Sequence, residues 1–337
     1  MSAPVRIGVV GAGALGYHHV RLLRAVDGAT LVGFHDSRPD RAQQVATELG
    51  VRAFDSVEAL VDACDALTIA VPTPAHHAVA TIALEKGRHL LIEKPLAASL
   101  TEADDLLAIA KRTGALIQTG HVERFNRAVR AALPFVEAPR FIDSDRLAPF
   151  NPRGSDVAVV LDLMIHDIDL VLTLVGSHVA DVAAVGVPVL TPFVDIANAR
   201  IAFDSGVVAN ITSSRVSRER MRKVRIFQQS GYLSLDLAAG DGEFYRLRGD
   251  LDLAALAKGP LALEAPEGEP LRLEFESFVA AVRGEQPVVV SGDDGREALA
   301  VALRIVKEIE RTLPSLAGVA GASAGGRAAD AGTVTRA

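Results

Sequence analysis

Two segments far apart in the chain carry side chains that could move a proton or stabilise a developing negative charge. Glu93-Lys94-Pro95 follows an apolar run, and the spacing i, i+4, i+7 puts Asp162, His166 and Asp169 on one helix face. A histidine can accept a proton near neutral pH, and a lysine ammonium can stabilise an alkoxide. The structural alternatives are a solvated Glu93–Lys94 pair and an Asp162–His166 pair that satisfies itself in the core.

A glycine-rich loop follows the first apolar run, Val5–Val10, and opens a helical pattern. Its sequence is Gly11-Ala12-Gly13-Ala14-Leu15-Gly16. Gly11 permits a tight turn, Gly13 leaves room for phosphate, and Gly16 lets helix and strand pack closely. The loop and the helix N-terminus, including Ala14 and Leu15, are therefore predicted to bind a dinucleotide pyrophosphate.

Asp36 ends the second predicted strand, about 20 residues beyond the glycine loop. There its carboxylate can accept hydrogen bonds from the adenosine ribose, and it would repel a 2′-phosphate. NAD is therefore predicted in preference to NADP. Arg38 is a further predicted cofactor ligand, which could stack on adenine or, if Asp36 turned away, pair with a 2′-phosphate.

These residues need a scaffold, and the first 120 residues have the alternation of βαβ units around a parallel sheet. The predicted strands are Val5–Val10, Thr30–His35, Ala66–Ala70, His89–Ile92 and Leu116–Gln118. The predicted helices lie near Ala14–Val26, Pro39–Leu49, Ala75–Lys86 and Leu100–Arg112. The carboxyl ends of such strands face a ligand crevice, so Lys94 is predicted to point at the cofactor.

The pattern changes after Arg124 to one apolar helix at Leu161–Leu174 and then to alternating runs typical of an antiparallel sheet. Those runs are Asn198–Phe203, Val207–Thr212, Val224–Gln228 and Tyr232–Leu237, and helical spacing returns at Phe275–Val282 and Gly295–Leu313.

The predicted fold class is α/β. Residues 1–122 form a Rossmann domain with a doubly wound parallel sheet. Residues 123–313 form an α+β domain with a mainly antiparallel open sheet, for substrate binding and oligomerisation. Residues 314–337 are predicted to be a disordered tail.

Composition excludes several classes of function. The 337 residues include 35 Lys and Arg against 42 Asp and Glu, a net charge of -7, so nucleic acid and anionic membranes are not expected partners. The single cysteine, Cys64, cannot form an intramolecular disulfide or a cysteine metal cluster, and no metal is predicted. No segment is long and uncharged enough to span a bilayer. We expect a cytoplasmic protein and a homo-oligomer, dimer or tetramer, built through the open sheet.

Together with Val71-Pro72-Thr73-Pro74 and His76, these motifs resemble the Gfo/Idh/MocA family of sugar and polyol dehydrogenases, from residue 1 to about residue 313. In that family the lysine of a Glu-Lys-Pro motif and the histidine of an Asp-x-Gly-x-His-x-x-Asp motif lie beside nicotinamide and substrate. The resemblance implies an NAD-dependent oxidoreductase acting on a CH-OH group. Its implied catalytic residues are Lys94, His166 and Asp162.

The same resemblance implies several supporting roles. Thr73, His76, Glu93 and Lys94 would contact the cofactor, although Thr73 could equally cap a helix. Either His166 or Lys94 could be the base, with Asp162 orienting the imidazole. A cis Lys94–Pro95 bond is also expected at this strand end. Met164 replaces the family's usual glycine between Asp and His.

Two stretches are similar to a narrower branch, the UDP-N-acetylglucosamine 3-dehydrogenases, which oxidise the sugar 3-hydroxyl before a partner aminotransferase acts. They are Gly120–Asn126 and Leu147–Gly154, although Arg127 stands where the branch has proline. Arg124 and Arg153 would bind the substrate diphosphate, or else form surface salt bridges. The full set of implied substrate contacts is Lys94, Arg124, Asn126, Arg153, Asp162 and His166. Two alternatives remain: a free polyol or monosaccharide dehydrogenase of the inositol or glucose type, and a non-catalytic NAD-binding regulator.

Overall fold

Two sheets organise the chain in the computed structural model, which describes residues 3–152, 154, 157–246 and 261–313. The predicted tail at 314–337 lies outside these residues, as does Arg153. Within the described ranges, no helix is long and apolar enough to cross a membrane.

The first sheet has five parallel strands in the order β2-β1-β3-β4-β5. They are β1 Val5–Val10, β2 Ala29–His35, β3 Ala66–Ile69, β4 His89–Glu93 and β5 Ile117–Gly120, connected through α1 Ala14–Leu23, α2 Pro39–Leu49, α3 Val57–Ala63, α4 His76–Leu84 and α5 Leu100–Thr113. A parallel bridge between Phe34 and Ala53 is the remnant of one more strand beyond β2. The strand order reverses between β1 and β3, which opens a crevice at their carboxyl ends. The prediction of a doubly wound parallel sheet is confirmed.

The second sheet has eight strands in the order β13-β12-β11-β10-β6-β9-β8-β7. They are β6 Phe141–Leu147, β7 Val179–Val187, β8 Ile196–Phe203, β9 Val208–Ser214, β10 Met221–Gln228, β11 Gly231–Asp236, β12 Asp241–Arg246 and β13 Leu261–Leu263. Its pairs are antiparallel except for β6 with β9, because β6 inserts between two strands that come later in the chain. The mainly antiparallel open sheet is therefore also confirmed.

Helices cover one face of this second sheet. A π-helical turn at Val160–Met164 leads into α7 Ile165–Val175, and the long α9 Gly292–Thr312 packs against α7 and β7. Apolar side chains of α7 and α9, such as Ile168 and Ile305, are fully buried against the sheet. The chain crosses between the sheets through a 3-10 turn, Val122–Phe125, and α6 Arg127–Ala132.

One late helix returns to the first sheet. Phe275 and Phe278 of α8 Pro270–Val282 are fully buried in the same core as Ile7 and Val9 of β1. The Rossmann core is thus completed by residues from the far end of the chain. The junction between the two sheets consequently has side chains from both halves, and the candidate site lies there.

Candidate active site

The glycine loop between β1 and α1 has the geometry that a pyrophosphate needs. Gly11 has a φ of +90°, and a Cβ there would lie 2.7 Å from the carbonyl oxygen of Ala70. A Cβ on Gly16 would lie 1.9 Å from the Gly11 carbonyl oxygen, so α1 packs directly on the loop. By contrast, the nearest atom to a Cβ on Gly13 is Nη2 of Arg38, at 4.0 Å. The face at Gly13 is therefore open.

The first turn of α1, which begins with Ala14 and Leu15, points its backbone N–H groups toward this open face. No side chain caps the turn, and it contains no acidic residue that would compete with an anion. The loop and helix thus fit a dinucleotide phosphate. Among the residues with described positions, no group of three His, Cys, Asp or Glu side chains could hold a metal ion.

Asp36 follows β2 beside the loop, where its carboxylate is ionised and held in place. Oδ2 accepts a hydrogen bond from the Ala12 N–H (2.8 Å), and Oδ1 accepts two from Arg38, from the backbone N–H (3.0 Å) and Nε (3.1 Å). Burial alone would raise the pKa of Asp36, but the hydrogen bonds from Arg38 and Ala12 keep that pKa below its ordinary value. The Arg38 side chain is 62% exposed, so it can move away and leave Asp36 to a ribose.

Lys94 and Asp162, which belong to different halves of the chain, meet at the junction. The Lys94 ammonium donates hydrogen bonds to the Asp162 backbone carbonyl (2.6 Å) and to its carboxylate Oδ1 (3.3 Å). Their side chains are 16% and 29% exposed, so the pair lies where a small molecule can reach it. The Lys94–Pro95 peptide bond is cis, as expected from the sequence.

The π-helical turn changes the relation between Asp162 and His166. The predicted i, i+4 stacking assumes an α-helix, whereas the π turn at Val160–Met164 adds a residue per turn. These two described residues make no hydrogen bond with each other, and the Asp162 carboxylate turns to Lys94 instead. In this structure Asp162 positions Lys94, and an orienting role of Asp162 toward the imidazole stays a prediction.

The His166 imidazole is neutral at pH 7. Burial lowers its pKa well below the ordinary value, and the positive charges of Lys94 and Arg146 lower that pKa further. A neutral imidazole can accept a proton from a hydroxyl group. The structure thus brings together Lys94, Asp162 and His166, the residues for which catalytic roles are implied by the family resemblance.

Arg124 pairs with a buried carboxylate. Its Nε and Nη2 donate to the two carboxylate oxygens of Asp169 at 2.9 and 2.6 Å, and Asp294 lies 3.4 Å away. The Arg124 and Asp169 side chains are only 11% and 1% exposed. A buried carboxylate must be paired, so Asp169 binds Arg124. This ion pair is structural, and the substrate contact of Arg124 stays a prediction.

Asn126 is structural as well. Its Oδ1 accepts a hydrogen bond from the Ala128 N–H (3.0 Å) and thereby caps α6, while Nδ2 donates to Glu123 (3.0 Å) and to the Leu237 carbonyl (2.9 Å). The residue is 6% exposed. Both ends of its amide are used within the protein, and the contact between Asn126 and substrate stays a prediction.

The residues predicted around nicotinamide have different positions. His76 is 1% exposed, and its two ring nitrogens lie 2.9 Å from the carbonyl oxygens of Val71 and Pro95, so it positions the turn after β4. The contact of His76 with the cofactor stays a prediction. Thr73 is partly exposed and begins a 3-10 turn after β3, which keeps it as a predicted cofactor ligand.

Glu93 faces away from the cleft, toward α1. Its Oε1 lies 3.1 Å from Nε2 of His19, whose Nδ1 lies 3.1 Å from the Thr68 hydroxyl. The His19 side chain is fully buried. Glu93 thus gives hydrogen-bonded support to the strand end that carries Lys94, and its contact with the cofactor stays a prediction.

Gly154, the neighbour of Arg153 in the sequence, lies beside Asp162. Arg153 itself lies outside the described residues, but a Cβ on its neighbour Gly154 would lie 2.7 Å from Asp162 Oδ2. Arg215 donates hydrogen bonds to the carbonyls of Gly154 and Val157, each at 2.6 Å. These bonds fix Gly154 and Val157 in place, and the role of Arg153 stays a prediction.

A buried charge network beside the site was not predicted from the sequence. Arg146 on β6 donates to Asp167 at 2.6 and 3.0 Å and to Glu123 at 2.9 Å. Burial would lower the pKa of Arg146, but Asp167 and Glu123 raise it above its ordinary value. Arg222, opposite Arg146 on β10, is 3.8 Å from Glu123 and 45% exposed. Buried and partly exposed side chains alternate along β6, and the polar Ser144 and Arg146 occupy the buried face. This pattern of burial appears only in the structure, so the network could not be predicted from the sequence.

Comparison with known proteins agrees with this geometry. Residues 5–121 match a family described as "Oxidoreductase family, NAD-binding Rossmann fold", and residues 128–234 match the "GFO/IDH/MocA C-terminal domain". The chain belongs to the Gfo/Idh/MocA family. The resemblance inferred from the motifs, and with it the class of oxidoreductase, is confirmed.

Relatives within the Gfo/Idh/MocA family have named activities. A UDP-N-acetylglucosamine 3-dehydrogenase of Acidithiobacillus ferrooxidans is 38% identical over 310 residues, covering 92% of this chain and 98% of the relative. A solved structure of that enzyme has a TM-score of 0.86 and covers 93% of this chain and 100% of its own. A scyllo-inositol 2-dehydrogenase (NAD(+)) of Bacillus subtilis is 34% identical over 242 residues, covering 64% of this chain and 69% of the relative.

Proposed function

We propose that this protein oxidises the 3-hydroxyl group of a UDP-N-acetylhexosamine, such as UDP-N-acetylglucosamine, to a ketone with NAD. The observation that carries this proposal is the Lys94 ammonium held by Asp162 beside the neutral His166, at the carboxyl end of a strand in a dinucleotide-binding sheet. The substrate is supported by the similarity to the Acidithiobacillus enzyme over nearly the whole chain.

In the proposed reaction, bound NAD+ supplies the acceptor for a hydride from the carbinol carbon. His166 accepts the hydroxyl proton, and Lys94 stabilises the negative charge that grows on the oxygen. Asp162 keeps the ammonium in place. The carbinol loses one hydride and one proton, which leaves the ketone.

Two arginines in addition to Arg124 are proposed for the substrate diphosphate. Arg153 is adjacent in sequence to Gly154, which lies beside Asp162, and Arg222 is on the same sheet face as Arg146 with its guanidinium half exposed. A guanidinium binds phosphate oxygens through two parallel hydrogen bonds.

Replacing Arg222 with methionine should raise KM for a UDP-sugar about tenfold. The matched control is Arg225→Met, three residues along β10 on the opposite face, where Arg225 pairs with Asp143.

NAD is proposed over NADP because the ionised Asp36 carboxylate would repel a 2′-phosphate.

We also propose a homo-oligomer built through the open face of the second sheet. Phe227, Tyr232 and Tyr245 stack there, with ring centroids 5.5 and 4.5 Å apart. Light scattering of the purified protein tests the proposed oligomeric state.

We propose an aminotransferase as the next enzyme, because such an enzyme acts on a ketone product. We propose a cytoplasmic location, because the one cysteine is buried and free, which suits a reducing compartment.

The test is NADH absorbance when UDP-N-acetylglucosamine, glucose or inositol is added with NAD+. We expect turnover on the UDP-sugar, and a loss of about 100-fold or more in kcat for Lys94→Met and His166→Gln. Lys86→Met and His77→Gln are matched surface controls, because each pairs with a carboxylate far from the junction. Turnover only on free sugars would replace the proposed substrate by a polyol. Tight NAD binding with no turnover on any of the three would indicate a regulator.

A further inference from the structure

A cluster of buried polar atoms lies next to His166. Six of these atoms have no hydrogen-bond partner within the described part of the chain: Nδ1 of His166, both ring nitrogens of His121, Oε1 of Gln118 and both carboxyl oxygens of Glu274. The His121 and Glu274 side chains are 1% and 0% exposed. Native proteins pair nearly all such atoms, because an unpaired buried donor or acceptor is costly.

The four residues come together from three elements. Gln118 is on β5 and His121 directly follows that strand, His166 is on α7, and Glu274 is on α8. The rings of His121 and His166 are perpendicular, with centroids 6.3 Å apart, and Gln118 Nε2 donates to the Glu274 backbone carbonyl at 3.2 Å. One water molecule can bridge a nitrogen of each ring at this centroid distance, because each of its two hydrogen bonds is about 2.9 Å long. Water is also the ligand that most often satisfies buried polar groups.

Charges around the cluster disfavour a proton that stays on His166. Lys94, Arg146 and Arg222 all act on its imidazole, and together with burial they lower its pKa. Burial also lowers the pKa of His121, and Arg124 and Lys94 lower that pKa further, whereas the negative charges of Asp169 and Glu93 act in the opposite direction. His121 therefore has carboxylates among its charged neighbours, whereas the groups that shift the pKa of His166 are all basic.

We propose that His121 is a proton-relay residue, connected to Nδ1 of His166 through buried water bounded by Gln118 and Glu274. The inference rests on the proposed function. His166 takes the substrate hydroxyl proton on Nε2 and releases the proton on Nδ1 to water, which passes one to His121. The charge on His166 is unchanged by this exchange, and no oxidant beyond the hydride acceptor is needed.

Glu274 completes the cluster as a neutral acid. Burial raises its pKa well above the ordinary value, and the nearby Glu93 and Asp169 carboxylates raise that pKa further. A protonated carboxyl group both donates and accepts hydrogen bonds. Glu274 can therefore hold water beside His121 without placing a third negative charge among the carboxylates.

Two variants separate a relay from a structural role. His121→Phe keeps the ring shape but no polar atom, and His121→Gln keeps hydrogen bonding but cannot carry a proton. We expect both to lower kcat at least about tenfold with little change in KM. The solvent deuterium isotope effect on kcat should rise, because proton release then limits the rate. A wild-type kcat in His121→Gln would overturn the relay, as would an unchanged solvent isotope effect in both variants.

A second measurement needs neither substrate nor turnover, so it can fail independently of the proposed function. A crystal structure of the wild-type protein should show ordered water bonded to both Nδ1 of His166 and a His121 nitrogen, and histidine ¹⁵N NMR should show the His166 resonances move in His121→Gln. If the two histidines instead bond directly to protein groups, the relay is overturned even for an active dehydrogenase. If the water is found but the wild-type protein oxidises no sugar, the proposed function fails and the relay fails with it.

Discussion

Replacing Gly13 with alanine should weaken cofactor binding and leave the fold intact. The nearest atom to the added methyl group is Arg38 Nη2 at 4.0 Å, and Gly13 has φ −61° and ψ −156°, an extended conformation that alanine can adopt. Stability should therefore stay the same or rise by up to about 1 kcal/mol. The methyl group enters the open face, where overpacking against a bound pyrophosphate costs about 1–3 kcal/mol. That cost corresponds to a Kd about 5- to 150-fold higher.

Gly16→Ala is the contrasting variant, since both positions belong to the same loop. A methyl group at Gly16 would lie 1.9 Å from the Gly11 carbonyl oxygen, so the backbone must move. We expect a lower melting temperature for Gly16→Ala together with weaker binding. Only Gly13→Ala should separate the two properties.

Calorimetry measures both properties, and it suits a chain with no tryptophan. Titration with NAD gives the Kd of each variant, and thermal scans without ligand give the melting temperatures. The reasoning about the loop is refuted if Gly13→Ala binds NAD within twofold of the wild-type protein, or if it melts as early as Gly16→Ala.

Three further predictions follow from the charges. Asp36→Ser should shift kcat/KM toward NADP, because the anion that repels a 2′-phosphate is gone; an unchanged cofactor ratio would contradict this role. The pKa values of His121 and His166 are lowered in the folded state, so below about pH 6.5 the unfolded chain binds more protons and urea midpoints should fall with decreasing pH. The raised pKa of Glu274 has the opposite sign: above about pH 4.3 the folded state retains a proton that the unfolded chain releases, so stability declines as pH rises. Glu274→Gln should therefore be more stable than wild type at pH 8, with a gain that disappears near pH 4, and equal urea midpoints at both pH values would refute a buried neutral acid.

Much of the scaffold can be predicted from local sequence, because the periodicity of apolar residues indicates which side chains are buried. The strand at Val5–Val10 and the helix at Pro39–Leu49 have the predicted bounds, and the glycine loop lies between strand and helix as expected. The seven-residue α3 Val57–Ala63 was missed because it is too short to display helical periodicity, although Ser56 caps it. Strand β7 Val179–Val187 was missed because its valines, alanines, one aspartate and one glycine show no regular alternation of apolar and polar residues.

The site residues fall into two groups. A motif and a strand end determine where the first group points, whereas the partners of the second group depend on tertiary packing. Lys94 and His166 could be found because a motif and a strand end determine where they point. Arg124 could not be assigned, because its partner Asp169 is 45 residues away and only the packed structure shows that this carboxylate is buried. Burial makes a carboxylate bind the nearest guanidinium, so an arginine near a buried acid is a poor candidate for phosphate binding. An arginine such as Arg222, half exposed and loosely paired at 3.8 Å, keeps its hydrogen-bond donors for a ligand.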